Sequence, residues 1–235
     1  YLDSRKWETT ILCNTTNFIL QTGSKLMAKV EPFECHTQDY EKWFERNHFA
    51  YISELRAVKK LLPEISEGVE IGVGTGQFAG PLDIKLGVEP SKNMLIIAKQ
   101  KGIQVVQAVA EKLPLAAARF DCALMITTVC FLDDIRSAFA EVFRVLRPGG
   151  YFIIGLIDKN SLLGKLYERH KHKSPFYRIA DFYSVGEIIE LLDQAGFRDF
   201  LYTQTIFHNL RELSHTESIK SGYGEGSFAA IRSHK

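Results

Sequence analysis

The most informative segment of the chain reads Val69-Glu70-Ile71-Gly72-Val73-Gly74-Thr75-Gly76-Gln77, with glycines at every second position after a short apolar run. Glycine has no Cβ, so this spacing lets the backbone turn sharply and approach a ligand closely. A dinucleotide-binding G-x-G-x-x-G counted from Gly72 needs glycine at position 77, where this chain has Gln77. The segment therefore disfavours NAD and predicts the loop after the first strand of a doubly wound sheet. Glu70 adds a hydrogen-bond acceptor beside the ligand.

Strand and helix patterns alternate after this segment. Strands are predicted near residues 69–72, 85–89, 104–108, 120–126 and 151–157, with helices over 92–101 and 136–146. A later helix is predicted over 184–195, where Ser184 and Glu187 form a capping box, followed by strands over 199–207 and 226–232. This alternation predicts an α/β fold with a doubly wound, mostly parallel sheet and an antiparallel last strand.

The domain organisation is predicted from where these patterns begin. Residues 1–37 form an N-terminal extension with little periodicity, expected to be poorly ordered. Residues 38–235 form a single domain, because 235 residues with 46% hydrophobic content suit one substantial core. Its predicted parts are a helical cap (38–63), a ligand-binding core (64–157), a substrate-side insertion (158–183) and a C-terminal helix with strands (184–235).

Composition excludes several classes of protein. Lys and Arg total 29 against 28 Asp and Glu, so no global field attracts nucleic acid or an anionic membrane. No apolar run approaches the ~20 residues that cross a bilayer, and the first residues lack the features of a secretory leader. The four cysteines form no C-x-x-C and are interpreted as reduced thiols. We expect a cytoplasmic protein with no membrane partner.

Five motifs follow one another over about residues 55 to 157. They are Glu70-Ile71-Gly72-Val73-Gly74-Thr75-Gly76; Gly87-Val88-Glu89-Pro90-Ser91 with Met94; Ala110-Glu111-Lys112-Leu113-Pro114-Leu115; Phe120-Asp121; and Val145-Leu146-Arg147-Pro148-Gly149-Gly150. In this order they resemble the class I S-adenosylmethionine-dependent methyltransferases, in particular the ubiquinone/menaquinone-biosynthesis-like group called methyltransferase type 11. The resemblance implies a Rossmann-like, seven-stranded sheet and S-adenosyl-L-methionine as cofactor.

The resemblance also implies where the cofactor is bound. The positions are Glu70, Gly72, Val73, Gly74, Gly76, Glu89, Pro90, Met94, Ala110, Glu111 and Thr127. The glycine loop would bind the methionine portion. Glu89, at the end of the second strand, would accept hydrogen bonds from both ribose hydroxyls. Ala110 and Glu111 would read the adenine edge. For Met94 two roles remain open: contact with the adenine ring, or packing in the core.

Aromatic residues outside the motifs are predicted to bind the acceptor. They are Tyr40, Phe44, Phe131, Tyr167 and Tyr177. Aromatic walls suit a desolvated pocket for a small, partly apolar or cationic molecule.

No catalytic residue is nominated. A sulfonium methyl is already activated, and the chain shows no convincing His-Asp pair or paired carboxylates at the expected methyl position. Asp133, Asp134, His48 and Asp158 are interpreted as caps, surface charges or structural groups.

Two other features are interpreted as structural. The basic run over residues 165–173 is taken as a solvated face near a helix end. His170 and His172 sit at i and i+2, which do not share a helix face, so no metal site is predicted.

Three functions remain open at this stage. The first is a methyltransferase acting on a small-molecule acceptor at oxygen, nitrogen, carbon or sulfur. The second is a non-catalytic S-adenosylmethionine-binding regulatory or partner protein. The third is an RNA methyltransferase. Methylation of DNA amines is disfavoured, because Ile126-Thr127-Thr128-Val129 stands where amino-methylating nucleic-acid enzymes carry Asn/Asp-Pro-Pro-Tyr/Phe. The sequence fixes neither the acceptor nor the oligomeric state.

Overall fold

A computed structural model describes residues 29–235, which are organised by one mixed eight-stranded sheet. The strands are β1 (Gly68–Ile71), β2 (Leu86–Val88), β3 (Gln104–Val106), β4 (Phe120–Ile126), β5 (Leu146–Ile157), β6 (Arg198–Thr205), β7 (Lys220–Ser221) and β8 (Phe228–His234). Their order is β3-β2-β1-β4-β5-β8-β6-β7. The first five strands pair in parallel, and β8 runs antiparallel to both β5 and β6. The predicted fold class is confirmed; the eighth strand is a two-residue edge pairing of β7 with β6.

Seven α-helices accompany the sheet within residues 29–235. They are α1 (Glu31–Cys35), α2 (Thr37–Arg46), α3 (His48–Leu61), α4 (Lys92–Gln100), α5 (Ile135–Val145), α6 (Leu162–His170) and α7 (Val185–Gln194). Side-chain caps fix several starts, since Ser91, Asp134 and Ser161 each accept a backbone N–H of the following turn. The capping box predicted at Ser184 is confirmed. The first described helix begins at Glu31, before the predicted start at residue 38, and α6 was not predicted.

Both faces of the sheet are covered, as a doubly wound fold requires. One face packs on α5 and α7 through Phe139, Ile188 and Leu192. The opposite face packs on α3 through Val58 and Leu61. Successive residues of a strand therefore pack into the hydrophobic cores on opposite faces of the sheet.

The site is positioned by the sheet order. After β1 the chain continues to β2 on one side of β1, whereas β4 lies on the other side. Ligands of open α/β sheets bind in the crevice at such a switch point, outside the carboxyl ends of the strands. The glycine loop follows β1 at this point, and α2 and α3 precede it in the chain.

Cysteines and membrane spans complete the description. Cys122 and Cys130 are free, as predicted, but Cys35 is disulfide-bonded, so the prediction of reduced thiols is wrong for that residue. Cys13 lies outside the described residues. Within residues 29–235, no helix is long and apolar enough to cross a membrane.

Candidate functional site

The glycine loop after β1 has a backbone that only glycine adopts easily. Gly72, Gly74 and Gly76 have φ angles of +72°, +55° and +81°. A Cβ built on Gly72 would lie 2.4 Å from Cγ2 of Thr128, which follows β4. The loop is held to β2 by N–H groups of Gly72 and Val73, which donate to the Val88 carbonyl at 2.8 and 3.0 Å. The predicted turn is therefore both sterically and conformationally dependent on glycine.

Glu89 faces this loop from the end of β2. Its carboxylate accepts N–H hydrogen bonds from Gly74 at 2.9 Å and from Ser91 at 2.8 Å. Burial raises the pKa of Glu89 to about 7, although these backbone donors act to lower it. The carboxylate is thus preorganised on the cavity wall, where it retains acceptor capacity for hydroxyl groups.

Glu70 lies beneath the loop rather than on the cavity wall. It is buried, it accepts a hydrogen bond from the backbone of Ala79, and burial raises its pKa to about 8. Its second oxygen, Oε2, has no hydrogen-bond partner among the described residues. A buried acceptor without a donor is costly, so an incoming donor at this position would be stabilising. This orphaned atom and the glycine cradle fit the methionine end of the expected cofactor.

Residues after β2 and β3 line the part of the cavity where adenine was predicted to bind. Pro90, Ala110 and Glu111 all contribute to its wall. The Oε1 atom of Glu111 also accepts the backbone N–H groups of Asp133 at 2.9 Å and Asp134 at 3.3 Å. Glu111 therefore orders the start of α5 in addition to facing the cavity.

Thr127 takes an unusual backbone conformation directly after β4. Its φ is +52°, and its N–H donates to the Gly155 carbonyl at 2.7 Å, which continues the β4–β5 ladder. Positive φ is uncommon for a β-branched residue and concentrates at functional sites. Thr127 also lines the cavity.

A single cavity of about 630 Å³ joins most of the predicted positions. From the cofactor set it contains Gly72, Gly74, Glu89, Pro90, Ala110, Glu111 and Thr127. From the acceptor set it contains Tyr40, Phe44, Phe131, Tyr167 and Tyr177. We call the part lined by these five rings the aromatic chamber.

Four predicted cofactor positions do not line the cavity. Besides Glu70, they are Val73, Gly76 and Met94. Val73 packs beneath the loop against Gly87, and Gly76 is required because a Cβ there would meet Ile103 at 2.3 Å. Met94 is fully buried on α4, a position consistent with packing. These residues shape the loop from behind.

Ring contacts hold the aromatic chamber together across several elements. Tyr40 and Phe44 of α2 meet edge to face with centroids 5.0 Å apart. Tyr167 of α6 stacks on Tyr177 at 4.7 Å, and Tyr177 lies parallel to Phe131 at 6.3 Å. Tyr40 also touches the glycine loop, since a Cβ on Gly74 would lie 3.1 Å from its hydroxyl oxygen. Tyr40 thus marks the boundary between the glycine loop and the aromatic chamber.

Sequence reasoning missed several residues of the site. Phe33 of α1 lines the cavity and packs on Phe131 with centroids 4.8 Å apart. Glu41 of α2 accepts hydrogen bonds from Thr75 and Gln77, which ties α2 to the glycine loop. Glu54 of α3 is buried and lines the cavity. Its signal was present, because Ala50, Glu54 and Val58 share one face at helical spacing.

The weighed catalytic candidates have structural partners or are poorly suited to catalysis. Asp134 caps α5, and Asp158 accepts the N–H of Asn160 at 2.9 Å. Burial raises the pKa of the Cys130 thiol to about 12, so it carries little thiolate at neutral pH. Among residues 29–235 no group of three His, Cys, Asp or Glu side chains is placed to hold a metal ion.

Comparison with known proteins agrees with this geometry. Residues 69–154 match the family described as "Methyltransferase domain". A solved structure from Thermotoga maritima is named as an S-adenosylmethionine-dependent methyltransferase and possible histamine N-methyltransferase. It is 51% identical, with a TM-score of 0.86, over 88% of this chain and 99% of its own. The chain therefore belongs to the class I S-adenosylmethionine-dependent methyltransferases, in the methyltransferase type 11 family.

Two curated relatives add to this comparison. An uncharacterized protein of Methanocaldococcus jannaschii is 45% identical over 203 residues, which cover 86% of this chain and 98% of its own. A demethylmenaquinone methyltransferase of Chlorobaculum tepidum is 30% identical over 131 residues, or 52% of this chain and 54% of its own.

Proposed function

We propose that this protein transfers a methyl group from S-adenosylmethionine to a small-molecule acceptor held in the aromatic chamber. The observation that supports this most directly is the shared cavity, which connects the glycine loop and Glu89 with the five rings of the chamber. Its volume of about 630 Å³ is typical of sites for small molecules. An aromatic-walled space of this volume suits an acceptor of a few rings or fewer better than a polymer.

The cofactor set divides into two roles in this proposal. Gly72 and Gly74 would bind the methionine portion, and Glu89 would accept hydrogen bonds from the ribose hydroxyls. The adenine ring would lie beside Pro90, Ala110 and Glu111. Thr127 would contact the cofactor at the carboxyl end of β4. Glu70, Val73, Gly76 and Met94 would support the loop without forming the cavity wall.

The proposed methyl transfer requires little chemistry from the protein side chains themselves. When bound, S-adenosylmethionine supplies a methyl carbon that its neighbouring sulfonium has already activated. The residues of the chamber then need to orient the acceptor atom and exclude water. Rings fixed by mutual contacts, such as Tyr167 on Tyr177, are suited to that task.

A screen for release of S-adenosylhomocysteine tests the proposal. Purified full-length protein is assayed with small amines, phenols, thiols and a bulk RNA. Amines, including histamine, come first because the 51% identical Thermotoga relative is named for one. We expect release with at least one small molecule, loss in a Glu89→Ala variant, and retention in Glu45→Gln, whose side chain is exposed on α2.

Two results would contradict the proposal. Turnover of RNA alone, strongly suppressed by salt and by substitution of basic residues 165–173, would indicate an RNA methyltransferase. Tight cofactor binding with no turnover of any acceptor class would indicate a non-catalytic binding protein.

A further inference from the structure

Glu54 is a buried carboxyl group on the wall of the aromatic chamber. It lies on α3, on the face that also buries Ala50, Ser53, Ala57, Val58 and Leu61. Only 3% of its surface is exposed, and the residue lines the cavity. An acidic side chain on an otherwise small and apolar helix face contributes nothing to packing that alanine or leucine would not.

The Glu54 carboxyl has no partner within residues 29–235. No hydrogen bond or ion pair of the described residues involves it, and burial alone raises its pKa to about 8. Two of the other cavity carboxyls differ in this respect. Glu89 accepts two backbone N–H groups, and so does Glu111. An ionisable group without a partner is unfavourable in a buried position, so a compensating partner is expected from a ligand.

The surroundings of Glu54 select the chemistry of that ligand. Its charge acts on the hydroxyls of Tyr40, Tyr167 and Tyr177, which come from α2, α6 and the segment after it. Tyrosine rings attract cations through their faces, and a carboxylate attracts them through charge. The same combination repels an anionic acceptor.

Within residues 29–235, the cavity wall carries three cationic side chains. Arg46 is exposed at the end of α2, and Lys29 pairs with Asp181 at 2.5 Å. Arg211 is exposed and has a partner of its own. Asp39, at the other end of α2, is the remaining acidic residue of the cavity wall. None of these groups gives the Glu54 carboxyl a hydrogen bond or ion pair.

We propose that the aromatic chamber binds a protonated amine whose ammonium group pairs with the Glu54 carboxylate and lies against the rings of Tyr40, Tyr167 and Tyr177. The proposal rests on the proposed function, because it names the class of acceptor for that site. Glu54 is then the residue that distinguishes a cationic amine from a neutral molecule of the same shape.

The arrangement also assigns a destination to the proton that such an amine must lose. A protonated nitrogen has no lone pair, so one N–H bond breaks, its electron pair stays on nitrogen, and the proton passes to a carboxylate oxygen of Glu54. Tyr40, Tyr167 and Tyr177 do not compete for it, since burial raises the pKa of each hydroxyl and keeps it protonated. A carboxyl with a pKa near the working pH is suited to accept it.

Calorimetry with matched probes tests the inference without relying on turnover. Primary amines of increasing size, such as ethylamine, propylamine and 2-phenylethylamine, are titrated against the alcohols of the same shape. Titrations are done with S-adenosylhomocysteine present, and binding of that nucleoside is measured first. In the wild-type protein we expect at least one amine to bind about 10-fold to 100-fold more tightly than its alcohol, the range for a charge-assisted hydrogen bond.

Glu54→Gln is the deciding variant, and it is expected to fold. Glutamine matches the neutral form of a buried carboxyl in shape, so the melting temperature should hold or rise. We expect this variant to lose the preference for amine over alcohol while its affinity for S-adenosylhomocysteine stays unchanged. Glu45→Gln, which removes an exposed charge from α2, should keep the preference.

The outcomes separate the two proposals. If S-adenosylhomocysteine fails to bind the folded wild type, the proposed function itself is wrong. If it binds but no amine exceeds its alcohol, or if Glu54→Gln keeps the preference, the role of Glu54 is wrong and the cofactor site stands.

Discussion

At the scale of single residues, Glu89 is proposed to link the glycine loop to the cofactor. Its carboxylate already accepts the N–H groups of Gly74 and Ser91, so it is held in place before any ligand arrives. A hydrogen bond to a charged acceptor contributes about 1.5–3 kcal/mol. We therefore expect Glu89→Ala to weaken S-adenosylhomocysteine binding by about 10-fold to 100-fold in calorimetry, with a smaller loss in Glu89→Gln.

The control for this prediction is Glu45→Ala, which removes an exposed carboxylate from α2. Its affinity should match the wild type. Unchanged affinity in both Glu89 variants, with normal melting curves, would show that the ribose is held elsewhere.

Two glycines with similar backbones give a second residue-scale prediction. Gly72 and Gly102 have φ angles of +72° and +85°, but a Cβ on Gly72 meets Thr128 whereas none of the neighbours of Gly102 is within 4 Å. Gly102→Ala should therefore show backbone strain alone, about 1–2 kcal/mol of stability, with cofactor affinity intact. Gly72→Ala should cost more stability in urea unfolding and lose most of its cofactor affinity.

Adding Thr128→Ala to Gly72→Ala should recover part of the lost stability, because it removes the atom nearest to the new Cβ. The interpretation of the loop is wrong if Gly72→Ala binds S-adenosylhomocysteine like the wild type.

The local motifs predicted which segments of the chain surround the cavity. They were less successful in predicting which side chains of those segments line its wall. Glu89 and Thr127 end strands, and strand ends necessarily reach the crevice. Glu70 lies within β1 and Met94 on the buried face of α4, so their motif membership does not place them on the wall. Glu54 was missed because most residues of its helix face are small, so the periodic signal it shares with Ala50 and Val58 is present but weak.

At the scale of elements, α1 lies across the cavity and contacts several parts of the site. Phe33 packs on Phe131 and Phe176 with centroids 4.8 and 5.4 Å away, and Glu34 accepts the Ser91 hydroxyl at 2.6 Å. Glu31 also forms an ion pair with Arg178, with a nitrogen–oxygen distance of 3.1 Å. This five-residue helix therefore joins the N-terminal side of the domain to the insertion.

We expect Phe33→Ala to raise the dissociation rate of bound S-adenosylhomocysteine and the KM for the acceptor, because the cavity loses one of its aromatic walls. Stopped-flow displacement measures the rate, and thermal melting should change little, since Phe33 is only partly buried. Phe49→Ala, which removes an exposed ring from α3, should leave both unchanged. Identical rates in wild type and Phe33→Ala would show that α1 does not restrain the ligand.

Most of the elements were predictable, whereas α1, α6 and β7 were not. β4 was predicted over its observed residues, and α4, α5 and α7 within one residue at each end, because their apolar periodicity and caps agree. α1 has five residues and β7 has two, too few to show any period. α6 was hidden by its polar and aromatic composition, and only Ser161 marks its start.

At the scale of the whole molecule, three buried carboxyls make stability depend on pH. Burial raises the pKa of Glu54 and Glu70 to about 8 and that of Glu89 to about 7, above the value of 4.5 expected in the unfolded chain. Between pH 5 and 8 the folded state therefore holds more protons than the unfolded state. The free energy of unfolding must fall as pH rises through this window, on the order of a few kcal/mol per carboxyl.

Urea unfolding of the ligand-free protein at pH 5, 6, 7 and 8 measures this slope. We expect Glu54→Gln to flatten it and to be more stable than the wild type at pH 8, whereas Glu45→Gln should run parallel to the wild type. A wild-type free energy of unfolding that stays constant or rises across this range contradicts the assigned burial.

The parallel order of β1 to β5 and the antiparallel β8 were predictable because alternating strands and helices admit few arrangements. The rings of α2, the turn after β4 and the insertion were predicted to share one pocket. The contribution of α3 was not predicted, since it depends on tertiary packing of elements far apart in sequence.

The most direct test of the account is a crystal structure of the protein with S-adenosylhomocysteine. We predict that the ribose hydroxyls lie within hydrogen-bond distance, about 2.6–3.2 Å, of the Glu89 carboxylate, with the amino-acid portion over Gly72 and Gly74 and the sulfur facing the aromatic chamber. A nucleoside bound outside this cavity, or one whose ribose does not contact Glu89, would contradict the account.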